Sequence, residues 1–554
     1  MMTTETNPVL AKSASHAFLS VLAAQGLDRV FLVPGESYLG VLDALCDFPA
    51  IDVVTCRHES GAGFMACADG RLTRRPALVM VSRGPGASNA AIAVHTAQQD
   101  AIPLILVIGQ VPADSVRRES FQEIDYQKMF GSMAKWVYEA RHPEQLAEMA
   151  FKAVRVATSG TPGPVVLVIP EDLQQQPVPL PDWRAVPHAP AMPAPDTLAQ
   201  VRQLLVAAQR PLIIAGGCFD QPGGREVLKA FAEAWQIPVA LSFRRHDVFD
   251  NTHPLYAGDL GLSNRRDQME TFNRSDLVLA LGTRLDDITT QGYSFPRIPQ
   301  PDQDVVFCYP DDRVVGRHFA PRVGVVCDAV ELARALLPVP APAAGRDTWI
   351  SQACAVQRQQ SIWPSPPVRA DGVNFVDVVH SLARQAPADV LLCLDAGTFA
   401  APVYKHFPFV YPQRLMAPLA GAMGYGTPAA VACALRYPGR KVVCLVGDGG
   451  FMMTGNEMIA AVERRLPILF ILADNNCYGS IRLHQEVHYP GRHAGTSLFN
   501  PDFQRIAQAF GMAAESVTSP ADIDAALARG LAAPGPHFLH VHASLSAILP
   551  QRPA

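Results

Sequence analysis

The chain has 554 residues, with 46 Lys and Arg against 51 Asp and Glu and a formal net charge of −5. That length allows three or four domains with large cores, and the charge balance leaves none of the basic footprint that nucleic-acid binding needs. Eleven cysteines without a C-x-x-C or other paired spacing read as reduced thiols of a cytoplasmic protein, not as disulfides or zinc ligands.

Residues 1–18 lack a basic stretch followed by an apolar core, and no apolar run approaches 18 residues, so neither a secretory leader nor a membrane span is expected. From 17 to 109, helical patterns alternate with short apolar runs at 30–33, 51–56, 77–81 and 104–108, which predicts a parallel sheet with helices on both faces. Arg57-His58-Glu59-Ser60 follows the second run and opens a helix. Ser82-Arg83-Gly84-Pro85-Gly86-Ala87-Ser88-Asn89 follows the third as a tight turn. His95 lies in a helical pattern and is expected to pack. Phe121-Gln122-Glu123-Ile124-Asp125 comes next, in a stretch from 111 to 130 that contains no histidine.

The proline-rich passage 176–195 reads as an extended linker. A second α/β run follows, with strands expected at 211–215, 238–241, 277–281 and 305–308, and a Pro/Ala segment at 336–345 closes it. The third region, from about 370, has an apolar run at 390–394 that leads into Asp395-Ala396-Gly397-Thr398, then the glycine-rich Gly421-Ala422-Met423-Gly424-Tyr425-Gly426.

The most informative stretch is 441–479. A buried strand at 442–446 stops at Gly447-Asp448-Gly449-Gly450. Thr454 and Glu457 have the spacing of a capping box for a helix at 457–465. A returning strand at 466–473 ends in Asp474-Asn475-Asn476-Cys477. In a right-handed βαβ unit both turns lie at carboxyl ends of neighbouring strands, so Asp448 and Asn475 can face each other. Octahedral Mg²⁺ takes one or two protein oxygens plus phosphate oxygens, and the glycines let backbone N–H groups approach a diphosphate.

These residues resemble the metal–diphosphate motif of thiamine diphosphate (ThDP) enzymes: a Gly-Asp-Gly turn, then an Asn some 27 residues on, and Tyr478-Gly479 after it. The resemblance covers nearly the whole chain and points to the acetolactate synthase and 2-oxo acid decarboxylase branch. It implies an α/β protein of three doubly wound parallel-sheet domains, with a ThDP-binding fold at both ends and a Rossmann-like centre. The expected divisions are 1–180 for the pyrimidine side, 190–340 for the centre and 365–554 for the diphosphate and Mg²⁺ side. By resemblance Asp448, Asn475 and the Cys477 carbonyl hold the metal, and Gly447, Gly449, Gly450, Tyr478, Ala396, Gly397 and Thr398 lie beside the cofactor. Met423 would prop its bent shape and Gly421 would accept from its amine. Glu59 would share a proton with its pyrimidine ring, which needs a carboxyl group shielded from water. Pro85 and Asn89 belong to the loop that nears the pyrimidine, and Gln122 approaches the active centre.

The implied reaction is cleavage next to the carbonyl of a 2-oxo acid or hydroxyketone, with transfer of the fragment to a second carbonyl compound. The histidine-free stretch 111–130 favours transfer over release of a free aldehyde, because release needs a positioned acid. The alternatives are a non-ligating decarboxylase, a cyclic diketone hydrolase, or a catalytically silent ThDP-fold subunit; the last is opposed by intact Glu59, Asp448 and Asn475. A homodimer or homotetramer is implied, because in the family the two ThDP-binding domains meet across a two-fold interface. His484 stands where the synthases have tryptophan. Gly282-Thr283-Arg284-Leu285-Asp286-Asp287-Ile288 matches their flavin pattern except at Ile288, and with Gly216-Gly217 it leaves FAD as a possible structural cofactor.

Overall fold

The structure is a computed structural model that describes residues 12–180, 182–185, 189–262, 264–337 and 345–550. Three six-stranded parallel sheets follow one another along the chain. The first contains β1 (Arg29–Leu32), β2 (Asp52–Thr55), β3 (Ala77–Val81), β4 (Leu104–Gln110), β5 (Trp136–Glu139) and β6 (Pro164–Pro170), in the order β2-β1-β3-β4-β6-β5. The central one contains β7 (Pro211–Ala215), β8 (Val239–Leu241), β9 (Tyr256–Asp259), β10 (Leu277–Leu281), β11 (Asp304–Tyr309) and β12 (Val323–Val326), in the order β12-β11-β10-β7-β8-β9. The third contains β13 (Leu391–Leu394), β14 (Arg414–Met416), β15 (Val442–Gly447), β16 (Ile468–Asp474), β17 (Ala513–Val517) and β18 (His537–His542), in the order β14-β13-β15-β16-β18-β17.

The first and third sheets share one topology, and the central sheet has the 3-2-1-4-5-6 order of a Rossmann fold. The expected fold class therefore holds at all three positions. Strands such as β3 (Ala-Leu-Val-Met-Val) are buried throughout, because helices cover both faces of a parallel sheet and no position can face water. Strands of mixed pattern were not legible: β5 is only half-buried, and β12 alternates between buried and exposed positions. The reading of residues 1–11 and most of the 336–345 segment fall outside the described residues, as do positions 181 and 186–188 of the first proline-rich passage. That passage ends at Pro195, the first residue of helix Pro195–Ala207, where a missing N–H costs nothing. All eleven cysteines are free thiols. No described helix is long and apolar enough to cross a membrane.

The capping box expected at Thr454 and Glu457 is not formed. A helix from Asp448 to Thr454 comes first, a short 3₁₀ turn, Gly455–Glu457, follows it, and the expected helix is Met458–Glu463. Thr454 Oγ1 donates to the Gly424 carbonyl at 2.5 Å. Glu457 is fully buried and accepts from the backbone N–H groups of Arg57 and His58 at 2.9 and 2.8 Å. It ties the start of helix Glu59–Thr73 to the third sheet's layer, and a Cβ at Gly61 would come within 2.5 Å of Glu457 Cγ. That helix lies along helix Gly426–Arg436, with Phe64 edge-on to Tyr425 at 5.7 Å.

A buried ion network joins the three sheets. Asp220 and Asp247 of the central part receive Arg225 Nη2 at 2.9 and 3.0 Å. Arg414 reaches the same two carboxylates at 2.5 and 3.3 Å, and Arg71 lies 3.6 and 3.9 Å from them. Burial alone would raise the Asp220 carboxyl, but Arg414, Arg225 and Arg71 outweigh it and hold it well below the usual range. Its stabilising effect is thus complete above about pH 4, the unfolded carboxyl's range, and is lost as pH falls below that. Arg414→Met strips a cation from two buried carboxylates and should destabilise the fold by about 3–5 kcal/mol, read as a lower urea midpoint. An unchanged midpoint would show that the network contributes nothing net.

Candidate active site

β13 and β15 are neighbours, and the chain leaves β13 in opposite directions along the sheet to reach β14 and β15. Their carboxyl ends therefore open a crevice at the switch point, which is where open α/β sheets bind ligands. A cavity of about 720 Å³ occupies that place, roofed by the central part of the chain. Ala396, Gly397, Thr398, Gly421, Met423, Gly447, Asp448, Gly449, Gly450, Asn475, Cys477 and Tyr478 all line it.

Asp448 is 3% exposed. Its Oδ1 accepts from Gly449 N at 2.9 Å, and its Oδ2 accepts from Cys477 N at 3.2 Å, which brings the two turns together. Asn500 donates from one Nδ2 to Asp448 Oδ2 and to Asp474 Oδ1, both at 2.7 Å. His540 Nε2 lies 2.8 Å from the other oxygen of Asp474. Burial raises the Asp448 carboxyl to about 6; Asp474 adds to the rise and Asn500 opposes it. Asn475 Oδ1 is buried with no hydrogen-bond partner. An orphaned acceptor beside a carboxylate raised in this way suits a divalent cation, which would satisfy both oxygens at once.

Asp395 does something the sequence did not indicate. It is completely buried and accepts from the N–H groups of Ala396, Gly424 and Gly426. Burial still raises its carboxyl to about 7 against those bonds. With the Thr454 hydroxyl on the Gly424 carbonyl, it latches the loop that carries Met423 into the cavity. Gly421 and Gly424 have φ of +66° and +84°, where a side chain would be strained.

The N-terminal candidates form a second cluster. Glu59 Oε2 accepts from Asn89 Nδ2 at 2.9 Å, and a Cβ at Gly86, next to Pro85, would lie 3.3 Å from Glu59 Oε1. The Gln122 carbonyl would meet a Cβ at Gly84 at 2.5 Å, and Gln122 itself has φ +63°. His58 Nδ1 accepts from Ser60 N and caps the helix, while His95 is exposed instead of packed. None of Glu59, Pro85, Asn89 and Gln122 lines the cavity that holds Asp448. Apolar side chains beside both are exposed: Phe121 at 77%, Met452 at 58% and Phe499 at 101%. Asn500 and Glu457 had no legible signal, since their partners lie 26 or more residues away in sequence.

Residues 12–129 match the thiamine pyrophosphate enzyme N-terminal TPP binding domain, 198–336 the central domain, and 395–541 the C-terminal TPP binding domain. The chain belongs to this family and is a thiamine diphosphate-dependent enzyme. It falls in the acetolactate synthase branch. It is 31% identical to acetolactate synthase isozyme 1 large subunit of Escherichia coli (strain K12), over 94% of this chain and 92% of that one. It is 30% identical to the isozyme 2 large subunit of the same strain, over 94% and 93%. It is 26% identical to a probable acetolactate synthase large subunit of Methanocaldococcus jannaschii, over 97% and 93%.

Two effects on cation binding follow from the Asp448 environment. Removing the shared amide with Asn500→Ala should weaken Mg²⁺ affinity about 10- to 100-fold. If Asp448 is a ligand, it would have to lose its proton to bind, and wild-type affinity should then fall about tenfold per unit as pH drops below about 6. Calorimetric Mg²⁺ titration in the presence of ThDP at pH 7.5 and 5.0 measures both; pH-independent affinity would exclude Asp448 as a ligand.

Proposed function

We propose that the protein is a Mg²⁺-dependent carboligase that cleaves a 2-oxo acid or hydroxyketone beside its carbonyl and joins the fragment to a second carbonyl compound. The observation that carries this reading is the buried, unpartnered Asn475 Oδ1 beside Asp448, in the one cavity where the diphosphate-side residues converge. When bound, ThDP would supply the nucleophilic carbon for cleavage beside the substrate carbonyl. Asp448, Asn475 and the Cys477 carbonyl would hold Mg²⁺ against the diphosphate, with Asn500 fixing Asp448 between its two uses. Gly447, Gly449 and Gly450 let backbone approach the phosphates, and Ala396, Gly397, Thr398 and Tyr478 complete that wall. Met423, on its latched loop, would support the cofactor's bend, and the Gly421 carbonyl would accept from its amine. Asn89 pins Glu59 Oε2, which leaves Oε1 to give and take the proton of a ring nitrogen. Pro85 shapes the turn beside it, and Gln122 would face the second reactant.

Since Glu59 and Asp448 belong to separate clusters within a chain, a working site takes one from each of two copies in a homodimer or homotetramer. The exposed Phe121, Met452 and Phe499 beside the clusters are the apolar surface such a contact would cover. A structural FAD has room at the Gly216-Gly217 turn: Gly217, Gly282, Thr283 and Arg284 line a cavity of about 730 Å³ between the first and central parts of the chain, although Arg284 also donates to the carbonyls of Gln98 and Gln99.

One observation favours a second reading. The stretch 111–130 has no histidine, yet His246 and His484 line the cavity from other parts of the chain. Either could protonate a cleaved fragment, so decarboxylation to a free aldehyde has an acid available. Product analysis on a panel of 2-oxo acids with ThDP and Mg²⁺ separates the two: hydroxyketone products support ligation, and aldehyde alone overturns it. Glu59→Gln should remove more than about 90% of turnover. Chains carrying Glu59→Gln and chains carrying Asp448→Asn should each be inactive. Co-expressed, they should regain about half the wild-type activity per mixed dimer, because one of its two sites has both carboxylates. No recovery would mean that each site is built within one chain.

A further inference from the structure

Burying a guanidinium without a carboxylate is costly, and proteins rarely do it. Arg244, just past the carboxyl end of β8, is 5% exposed and lines the central-domain side of the cavity. It forms no ion pair with any described residue, and its Nε has no hydrogen-bond partner. Among the described residues, its guanidinium donates one hydrogen bond, from Nη1 to the Pro418 carbonyl. The side chain lies between two aromatic faces, with its guanidinium carbon 4.9 Å from the Phe243 ring and 5.5 Å from the Tyr404 ring. These faces strip water from the charge without neutralising it. The backbone of Arg244 has φ +55°, a left-handed conformation that a long side chain adopts only when its surroundings enforce it.

Two more polar groups on this wall are also unspent. The Tyr404 hydroxyl is buried and has no hydrogen-bond partner. His246 is 2% exposed, neither ring nitrogen makes a hydrogen bond, and its Nε2 lies 3.4 Å from Asp259 Oδ2. Asp259 also lines the cavity, with its Oδ2 near His246 Nε2 and in no ion pair with Arg244. Asp395, a buried acidic group behind the facing wall, is already held by three backbone N–H groups.

We infer that Arg244 and Tyr404, with His246 beside them, form a subsite for a substrate carboxylate that survives the reaction. The inference rests on the carboligation reading and deepens it. A guanidinium on the carboxylate that leaves as CO₂ would stabilise the ground state more than the transition state and slow its loss. A retained carboxylate has no such conflict. It could belong to a 2-oxo acid acceptor or to the far end of a dicarboxylic donor.

The test uses the ThDP- and Mg²⁺-loaded enzyme and the variants Arg244→Met, Arg244→Lys and Tyr404→Phe. With one donor, the ratio of kcat/KM for a 2-oxo acid acceptor over a neutral aldehyde acceptor should fall about 10- to 100-fold in Arg244→Met, the size of a lost charge-assisted hydrogen bond. It should fall less in Arg244→Lys and in Tyr404→Phe. If the ratio holds for acceptors but drops for dicarboxylic over monocarboxylic donors, the carboxylate is the donor's far one. Calorimetric binding of a saturated 2-hydroxy acid, which does not react, provides an arm independent of turnover and should weaken in all three variants. The subsite is overturned if both ratios and the carboxylate affinity are unchanged, or if Arg244→Met weakens ThDP binding instead. If wild type releases only aldehyde, the carboligation reading fails by itself, and the binding arm still decides whether Arg244 holds a carboxylate.

Discussion

The junction where Arg71, Asp220, Arg225, Asp247 and Arg414 meet is the constraint on which the rest of the structure depends. Each of the three α/β parts of the chain contributes at least one member, so none can shift without exposing or unpairing a buried charge. Three arginines face two carboxylates there, and the network holds its geometry because leaving one partner alone costs more than the pair gains. Arg436, which pairs with Asp28 and Asp69, repeats the logic between the first and third parts of the chain. The central part is thereby fixed above the crevice of the third sheet, and the cavity acquires the wall that carries Arg244 and His246.

Within that frame, buried carboxylates are handled in distinct ways. Asp220 and Asp247 are matched by arginines and serve structure alone. Asp395 is answered by backbone N–H groups and fixes a loop. Asp448 shares a single amide with Asp474 and stands beside an acceptor that has no donor at all. The first is balanced by arginine charge even though Asp220 Oδ2 and Asp247 Oδ1 make no hydrogen bond, and the second is held by backbone donors. The third is short of positive charge, and so is the one that asks for a cation. Arg244 is the opposite case, a cation short of an anion, on the far wall of the same cavity. Unbalanced groups of opposite sign at the two ends of one space define where a ligand with charged ends would lie.

The chemistry of the local turns was legible in sequence because it depends on neighbours in the chain. A β-branched run that stops at Gly447-Asp448-Gly449-Gly450 can only be a buried strand running into a turn open to phosphate, and β15 and its register with β16 follow that pattern. The repeated spacing of such runs was enough for three parallel sheets, and the resemblance of the two turns was enough for the coenzyme class. Strands that owe their burial to distant elements, such as β5 and β12, left no comparable mark.

What tertiary structure alone decided are the interactions between residues far apart along the chain. Thr454 and Glu457 have the spacing of a cap, yet Glu457 is drawn away by two N–H groups some 400 residues earlier, because a buried donor pair outweighs a local one. Asn500 becomes the partner of Asp448, and Arg244 becomes an unpaired charge in the cavity, only when the sheets are assembled. The placement of Glu59 outside the cavity that holds Asp448 is equally invisible in a linear string. By itself the amino-acid order determined which groups stand at the ends of strands, since side-chain type and backbone preference act within a few residues. Three-dimensional packing decided which of those groups meet, because burial and pairing of charge are properties of the whole chain.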